Sequence, residues 1–170
     1  MSDAEAEFRD FVAAQMDSLR GLAYLTCGDW QVAEDAVLAT LAKLYVNWRR
    51  VDNPEAYART SAVRAAIDET RRPWWRREQS HGDALPDVVV FDGTEAVDDR
   101  LQLRAALGRL PVRLRAVLVL RFLEGLSVHE TAAALRCPEG TVKAYTSRGL
   151  DALRRILKER TEGRDGARTA

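Results

Sequence analysis

A chain of 170 residues with 46% hydrophobic side chains suits one ordinary domain or two small ones and can fill a core, but it is too short for most multi-domain enzymes. Its 26 Lys and Arg balance 26 Asp and Glu, so net charge gives no argument for a nucleic-acid partner, and the distribution along the chain must supply one. The 2 cysteines, Cys27 and Cys137, lie far apart in no paired motif, which argues against a disulfide framework or a zinc site of ordinary ligand spacing. The acidic start MSDAEAEF argues against a signal peptide, and no apolar run approaches the roughly 18 residues of a membrane span, so the composition predicts a protein of the reducing cytoplasm.

Charge counted in blocks recovers what the net value hides. Residues 1–35 hold 8 acids and 2 bases, and residues 59–77 hold 6 bases and 2 acids. Residues 78–99 hold 7 acids and no Lys or Arg, whereas 100–136 hold 7 bases against 2 acids and 137–160 hold 6 against 3. This alternation predicts two modules, each with a basic surface, joined by an acidic connector.

Periodicity predicts an all-helical chain. Phe8, Phe11, Val12, Met16, Leu19, Leu22 and Ala23 recur at spacings of three and four, the pattern of a helix with one buried stripe. Asp29 or a neighbour can cap the next helix, whose stripe is Val32, Ala36, Val37, Leu41, Leu44 and Trp48. A third helix should start at Asn53-Pro54, with Asn as cap and Pro in the first helical position, and run through Tyr57, Val63 and Ile67 to Arg72, where Pro73 stops it. After Trp75 the chain changes to His81, Gly82, Pro86, Gly93 and many acids, a linker of roughly 16 residues whose apolar run Val88–Phe91 should dock on something. Helical spacing resumes with Val97, Leu101, Leu103, Leu107 and Leu110, breaks at Pro111, continues through Leu114, Val117, Leu118 and Leu123, and closes at Gly125.

The most informative stretch is EGLSVHETAAALRCPEGTVKAYTSRGLDALRRIL from Glu124. Ser127 with Glu130 three residues later is a capping box that starts a short helix ending near Leu135, with Ala132, Ala133 and Ala134 small enough for a close crossing. A turn over Arg136–Glu139 leads into a long helix with stripe Val142, Tyr145, Gly149, Leu150, Leu153, Ile156 and Leu157. Short capped helix, tight turn and amphipathic helix in that order form a helix-turn-helix pattern. Its second helix offers Thr141, Lys143, Ala144, Ser147 and Arg148: cations for phosphates or guanine edges, hydroxyls for phosphates, a methyl for thymine. A helical hairpin that merely solvates its cations is the plainer reading, and the ordered set of signals favours the DNA-binding one. His81 and His129 lack a nucleophile or metal constellation around them in sequence and read as solvated or structural, so neither an enzyme nor a catalytic residue is expected.

These residues carry a family resemblance. YLTCGDWQVAEDAV (Tyr24 to Val37), NPEAYAR (Asn53 to Arg59), AAID (Ala65 to Asp68), LPVRLRAVLVLRFLEGLSVHETA (Leu110 to Ala132) and GTVKAYTSRGLDALR (Gly140 to Arg154) together resemble the sigma-70 family, extracytoplasmic-function type, in its actinobacterial SigE-like group. The resemblance implies an all-α protein of two small helical domains. Residues 1–77 would form a region 2-like bundle, 78–95 an acidic linker, 96–160 a region 4-like helix-turn-helix domain, and 161–170 a disordered tail. It implies an RNA polymerase sigma factor that binds core polymerase through its clamp helices and flap and directs promoter-specific initiation. No cofactor, metal, membrane or small-molecule substrate is implied; an anti-sigma factor is a further partner of the kind the family uses.

The resemblance also assigns residues. The helix Val32–Trp48 would meet polymerase through Glu34, Asp35, Leu38, Leu41 and Tyr45. Leu38 and Ala39 stand where relatives usually carry polar residues, which leaves open a more hydrophobic contact or a repacked core. The −10 element would be met by Arg64, Arg71, Arg72, Trp74, Trp75, Arg76 and Arg77, and cations beside aromatic platforms suit the capture of unpaired bases, although at least one of the tryptophans is expected to close the bundle's core. Arg64 departs from the Asn common just before AID. The −35 element would be met by Thr141, Lys143, Ala144, Tyr145, Ser147 and Arg148, with Tyr145 shared between buried stripe and DNA face; Pro138 replaces a common Ser and cannot cap the helix with its side chain. The acidic linker would thread a positively charged polymerase channel, an ordinary solubilising linker being the plainer reading. The competing function is a free-standing helix-turn-helix regulator that binds palindromic duplex DNA as a dimer.

Overall fold

The computed structural model describes residues 2–70 and 94–168. Every regular element among them is helical, and the chain divides into two compact units, Met1–Val88 and Val89–Ala170.

The first unit is a three-helix bundle of α1 (Asp3–Cys27), α2 (Trp30–Asn47) and α3 (Pro54–Thr70), each packed on the other two. Helix α1 starts with a capping box in which the Ser2 backbone N–H donates to Glu5 Oε2 at 2.9 Å and the Ser2 hydroxyl accepts from the Glu5 N–H at 3.3 Å. It ends at Gly28, whose φ of 74° supplies the left-handed residue that a helix end favours. Asp29 at once starts α2, its carboxylate accepting from the Val32 N–H at 3.1 Å, as the sequence suggested. Asn53 caps α3 through the Ala56 N–H at 3.0 Å, with Pro54 in the first helical position.

The core of this unit alternates large and small residues: Leu19, Val37, Leu41, Leu44 and Val63 interdigitate with Ala23, Ala33, Ala36, Ala58, Ala62 and Ala66. The alanines bring the three axes close, and the leucines fill what remains. The buried hydroxyls of Thr26 and Thr40 donate to the carbonyls of Leu22 and Ala36, one turn back, at 3.0 and 2.8 Å. Trp48, expected within α2, instead opens a 3-10 turn, Trp48–Arg50, and its half-buried ring closes the bundle end edge-on to Phe8 at 5.2 Å. The expected stop of α3 at Arg72-Pro73 and the docking of Val88–Phe91 lie outside the described residues.

The second unit comprises α4 (Thr94–Gly108), α5 (Val112–Leu118), a π-helical turn (Val119–Leu123), α6 (Val128–Leu135) and α7 (Glu139–Arg168). Ala106, Leu107, Leu110, Ala116, Val117, Leu118, Val119, Leu120 and Val142 are its most deeply buried apolar residues. At the sharp turn before α5 the buried Arg115 donates through Nη2 to the Leu110 carbonyl at 3.1 Å, spanning Pro111, which has no N–H to give.

Three expectations are corrected in this unit. Leu101 and Leu103 stay exposed: two residues apart on a helix they point in different directions, and α4 packs mainly on α7. Leu123 is also exposed, together with Phe122, because the π turn, marked by the Glu124 N–H donating to Val119 five residues back at 3.1 Å, adds a residue and rotates the downstream positions by about 100°. The stretch expected as a disordered tail from residue 161 continues α7 to Arg168. There Arg164 Nη1 meets Asp98 Oδ2 of α4 at 2.9 Å, so a charge that reads as tail in sequence fastens α7 to α4, and one turn and more earlier Glu159 Oε2 meets Arg109 Nη1, just past the end of α4, at 3.4 Å.

Candidate nucleic-acid interface and docking faces

The helix-turn-helix is built as its sequence predicts. Ser127 Oγ accepts from the Glu130 N–H at 3.0 Å while Glu130 Oε2 accepts from the Ser127 N–H at 2.7 Å, closing the capping box of α6. That backbone hydrogen bond, with the serine hydroxyl contact, holds the Glu130 carboxyl below its ordinary value of 4.5. At the other end Arg136 takes a left-handed φ of 53°, and the Arg136 and Cys137 N–H groups donate back to Ala133 and Ala132 at 3.3 and 3.0 Å. The chain thereby reverses tightly enough for α7 to start at Glu139. Without a side-chain cap, Pro138 contributes only its carbonyl, which accepts from Thr141 and Val142 at 3.0 and 3.3 Å.

Two residues fix the face that α7 presents outward. Val142 is fully buried with Val117 and Ala132. About two turns further on, Gly149 lies so close to α5 that a Cβ there would meet Leu118 side-chain carbons at 3.1 to 3.3 Å. Opposite these anchors Lys143, Ser147 and Arg148 are exposed, while Thr141 and Ala144 are half-buried beside them. Tyr145 packs partly on the Val117–Val142 cluster, and the Arg148 guanidinium sits over its ring at 5.7 Å. Its two sequence readings therefore meet in one side chain, which fills core and supports an outward cation. Of the three alanines expected at the helix crossing, Ala132 and Ala134 are buried and Ala133 is exposed.

On the first unit, α2 carries an apolar strip turned to solvent. Leu38, Tyr45 and Val46 are 56%, 50% and 80% exposed, and Ala39 and Ala42 beside them are exposed too. The strip rules out the repacked-core explanation of Leu38 and Ala39. An apolar row of this kind on a helix marks an interaction surface. Leu41 corrects the assignment by resemblance: at 5% exposed it belongs to the bundle core with Leu44, three residues on, as the apolar stripe of the sequence predicts, and cannot reach a partner. Val46 and Ala42 were missed, although positions 38, 42, 45 and 46 share one helical face and the spacing alone would have found them. Glu34 is tied to Arg20 of α1 at 2.6 Å, and Asp35 accepts from Gln31 Nε2 at 3.2 Å at the edge of the strip.

Of the residues expected at the −10 element, Arg64 lies half-buried on α3. Arg71, Arg72, Trp74, Trp75, Arg76 and Arg77 lie outside the described residues. No helix among the described residues is long and apolar enough to cross a membrane.

Comparison with known proteins matches both units. Residues 11–76 match the family described as Sigma-70 region 2, and residues 100–153 match that described as Sigma-70, region 4. The RNA polymerase sigma-E factor of Streptomyces avermitilis is 35% identical over 160 residues, covering 91% of this chain and 87% of that protein. The protein of the same name from Streptomyces coelicolor is 34% identical, covering 91% and 88%. Among solved structures, the sigma factor RpoE of Bartonella quintana, crystallised with the anti-sigma factor NepR, has the same fold with a TM-score of 0.67 at 24% identity, covering 89% of this chain and 97% of that one.

Proposed function

The chain belongs to the sigma-70 family of RNA polymerase sigma factors, and from that premise we propose how its parts act when it binds core polymerase and directs promoter-specific initiation. One observation carries the reading: a single chain joins a bundle with an exposed apolar docking strip to a helix-turn-helix whose outward face is Lys143, Ser147 and Arg148.

Residues 1–77 hold polymerase and open the −10 element. Leu38 and Tyr45 make the hydrophobic contact with the clamp helices, and Glu34 and Asp35 face basic groups at its rim, where charge sets approach and register more than affinity. Arg64, Arg71, Arg72, Arg76 and Arg77 neutralise phosphates as Trp74 and Trp75 stack on unpaired bases, an assignment supported by residue type and order. Residues 78–95 cross the polymerase as an acidic strap. Residues 96–160 read the −35 element: α7 enters the major groove, Lys143 and Arg148 meet phosphate or guanine, Thr141 and Ser147 donate to phosphates, Ala144 offers a methyl contact, and Tyr145 props Arg148.

The chain makes and breaks no covalent bond in this scheme and needs no cofactor; the phosphodiester chemistry belongs to polymerase. It works where polymerase meets promoter DNA, in the cytoplasm, and an anti-sigma factor that covers its docking faces is its regulatory partner. Adding the purified chain to core polymerase on genomic DNA and sequencing the transcripts should give start sites sharing two spaced elements. Initiation that stays at the core-only level, with tight binding of a palindromic duplex by the chain alone, is the signature of a dimeric regulator and would overturn this scheme.

A further inference from the structure

We propose that Glu139 is a base-reading residue of the −35 interface, its carboxylate accepting a hydrogen bond from the amino group of a cytosine, and that His129 is the positioning residue that aims it. This deepens the function proposed above and rests on it.

The motivating contact is a bridge across the helix-turn-helix. His129 Nδ1 of α6 lies 3.2 Å from Glu139 Oε1 in the first turn of α7. The side chains are 84% and 53% exposed, so the contact closes no core and fills no cavity. Surface pairs of this kind contribute little to stability, so the consequence of this one lies in where it holds the carboxylate.

Its place is at the front of the outward face of α7. Glu139 stands one turn before Lys143 and two turns before Ser147, in the same helical row. Helices that read the major groove enter it with their first turns. A carboxylate at that point is repelled by phosphates on either side and is useful only where it meets a hydrogen-bond donor. The base edge that suits it is the N4 amino group of cytosine; adenine presents its amino group beside the N7 acceptor, which suits an amide better.

The pairing with His129 has a second consequence. Glu four residues before Lys is the favoured order for an ion pair on one helix, and such a pair would neutralise Lys143. Instead the carboxylate is held toward α6, and Lys143 forms no ion pair among the described residues. The hydrogen bond needs a proton on Nδ1, which the imidazolium and one neutral tautomer both supply, and it leaves Oε2 to accept from DNA. One exposed histidine thus keeps an acceptor and a cation separate within a single turn.

The test is a promoter library randomised through the −35 element, transcribed by core polymerase carrying the full chain as wild type, Glu139→Gln, Glu139→Ala or His129→Ala. The wild type should enrich cytosine about tenfold at one −35 position, on either strand. Glu139→Gln should move that position toward adenine, Glu139→Ala should flatten it, and the other positions should keep their preferences. His129→Ala should lower the cytosine preference at the same position while the melting temperature of the chain stays within a degree or two, which a merely structural role would not produce. Base preferences in Glu139→Ala identical to wild type at every position overturn the proposal, and an unchanged preference in His129→Ala overturns its positioning half. A library that shows no −35 preference even with the wild-type chain strikes the sigma reading itself, so the two failures are distinguishable.

Discussion

Arg136 carries an unusual backbone for its residue type. Its φ of 53° lies in the left-handed region, where a Cβ crowds the backbone, yet the two carbonyl contacts that end α6 require that geometry. Glycine takes it without crowding, so Arg136→Gly should raise stability by about 0.5–1 kcal/mol, readable as a higher melting temperature of the second unit. At the other end of the same helix, Ser127→Ala should remove about 1 kcal/mol by exposing the Glu130 N–H. Glu130 adds a pH signature. Its carboxyl is held below 4.5 by the Ser127 backbone and hydroxyl, so its contribution is fully present above the ordinary glutamate range and is lost as pH falls through the lowered value. Glu130→Gln should therefore flatten the acid limb of stability against pH; an acid limb identical to wild type counts against the capping box as its source.

At the scale of elements, spacing alone misleads where the helix ceases to be regular. The π turn at Val119–Leu123 inserts a residue between two amphipathic stretches, so one continuous stripe in sequence becomes a buried run followed by the exposed Phe122 and Leu123. The crossing of α5 and α7 has the opposite character, since it depends on a side chain that is absent. Leu118 fills the space over Gly149, and a branched residue there must push the helices apart. Gly149→Val should destabilise the second unit by about 1–3 kcal/mol while the three-helix bundle melts unchanged, a difference that separate thermal transitions or hydrogen exchange resolve. A single shared transition that moves as a whole would show the units to be coupled. The charged end of α7 shows a third pattern: Arg164 meets Asp98 of α4 and Glu159 meets Arg109, just past the end of α4, partners that lie 66 and 50 positions away in sequence. The Arg164 hydrogen bond, followed by that of Gln102, is also what lowers the Asp98 carboxyl.

For the whole molecule, the division of labour predicts separable losses. Leu38→Asp with Val46→Asp places charge on the α2 strip without touching the bundle core, so it should weaken the binding of core polymerase by tenfold or more while stability moves by only about 0.5 kcal/mol. Lys143→Ala with Arg148→Ala should leave polymerase affinity unchanged and lower transcription from promoters that depend on their −35 element by about tenfold or more, with a shallower salt dependence of DNA binding. Affinity for polymerase measured by titration, set beside transcript yield from the same preparations, checks both. If the Lys143 and Arg148 changes also abolish polymerase binding, those side chains support the fold and not the promoter contact.

The sequence by itself determined the all-helical class, the helix starts at Asp29, Asn53 and Ser127, and the helix-turn-helix with its outward Lys143, Ser147 and Arg148. These are local properties: a cap satisfies N–H groups within three residues, and an apolar stripe repeats within two turns. It left Tyr145 divided between core and surface, ended α7 too early, and drew Leu101, Leu103 and Leu123 into a stripe they do not share, while for Leu41 the apolar stripe was right and the family resemblance, which put it on a docking face, was not. Those questions turn on which side of a helix another element covers. The Val117–Val142 cluster decides that Tyr145 is part core, the nearness of α4 gives Arg164 of the long α7 its partner Asp98, and one inserted residue in a π turn decides where Leu123 points. Burial and long-range ion pairing depend on residues tens of positions away, and only the tertiary structure brings those residues together.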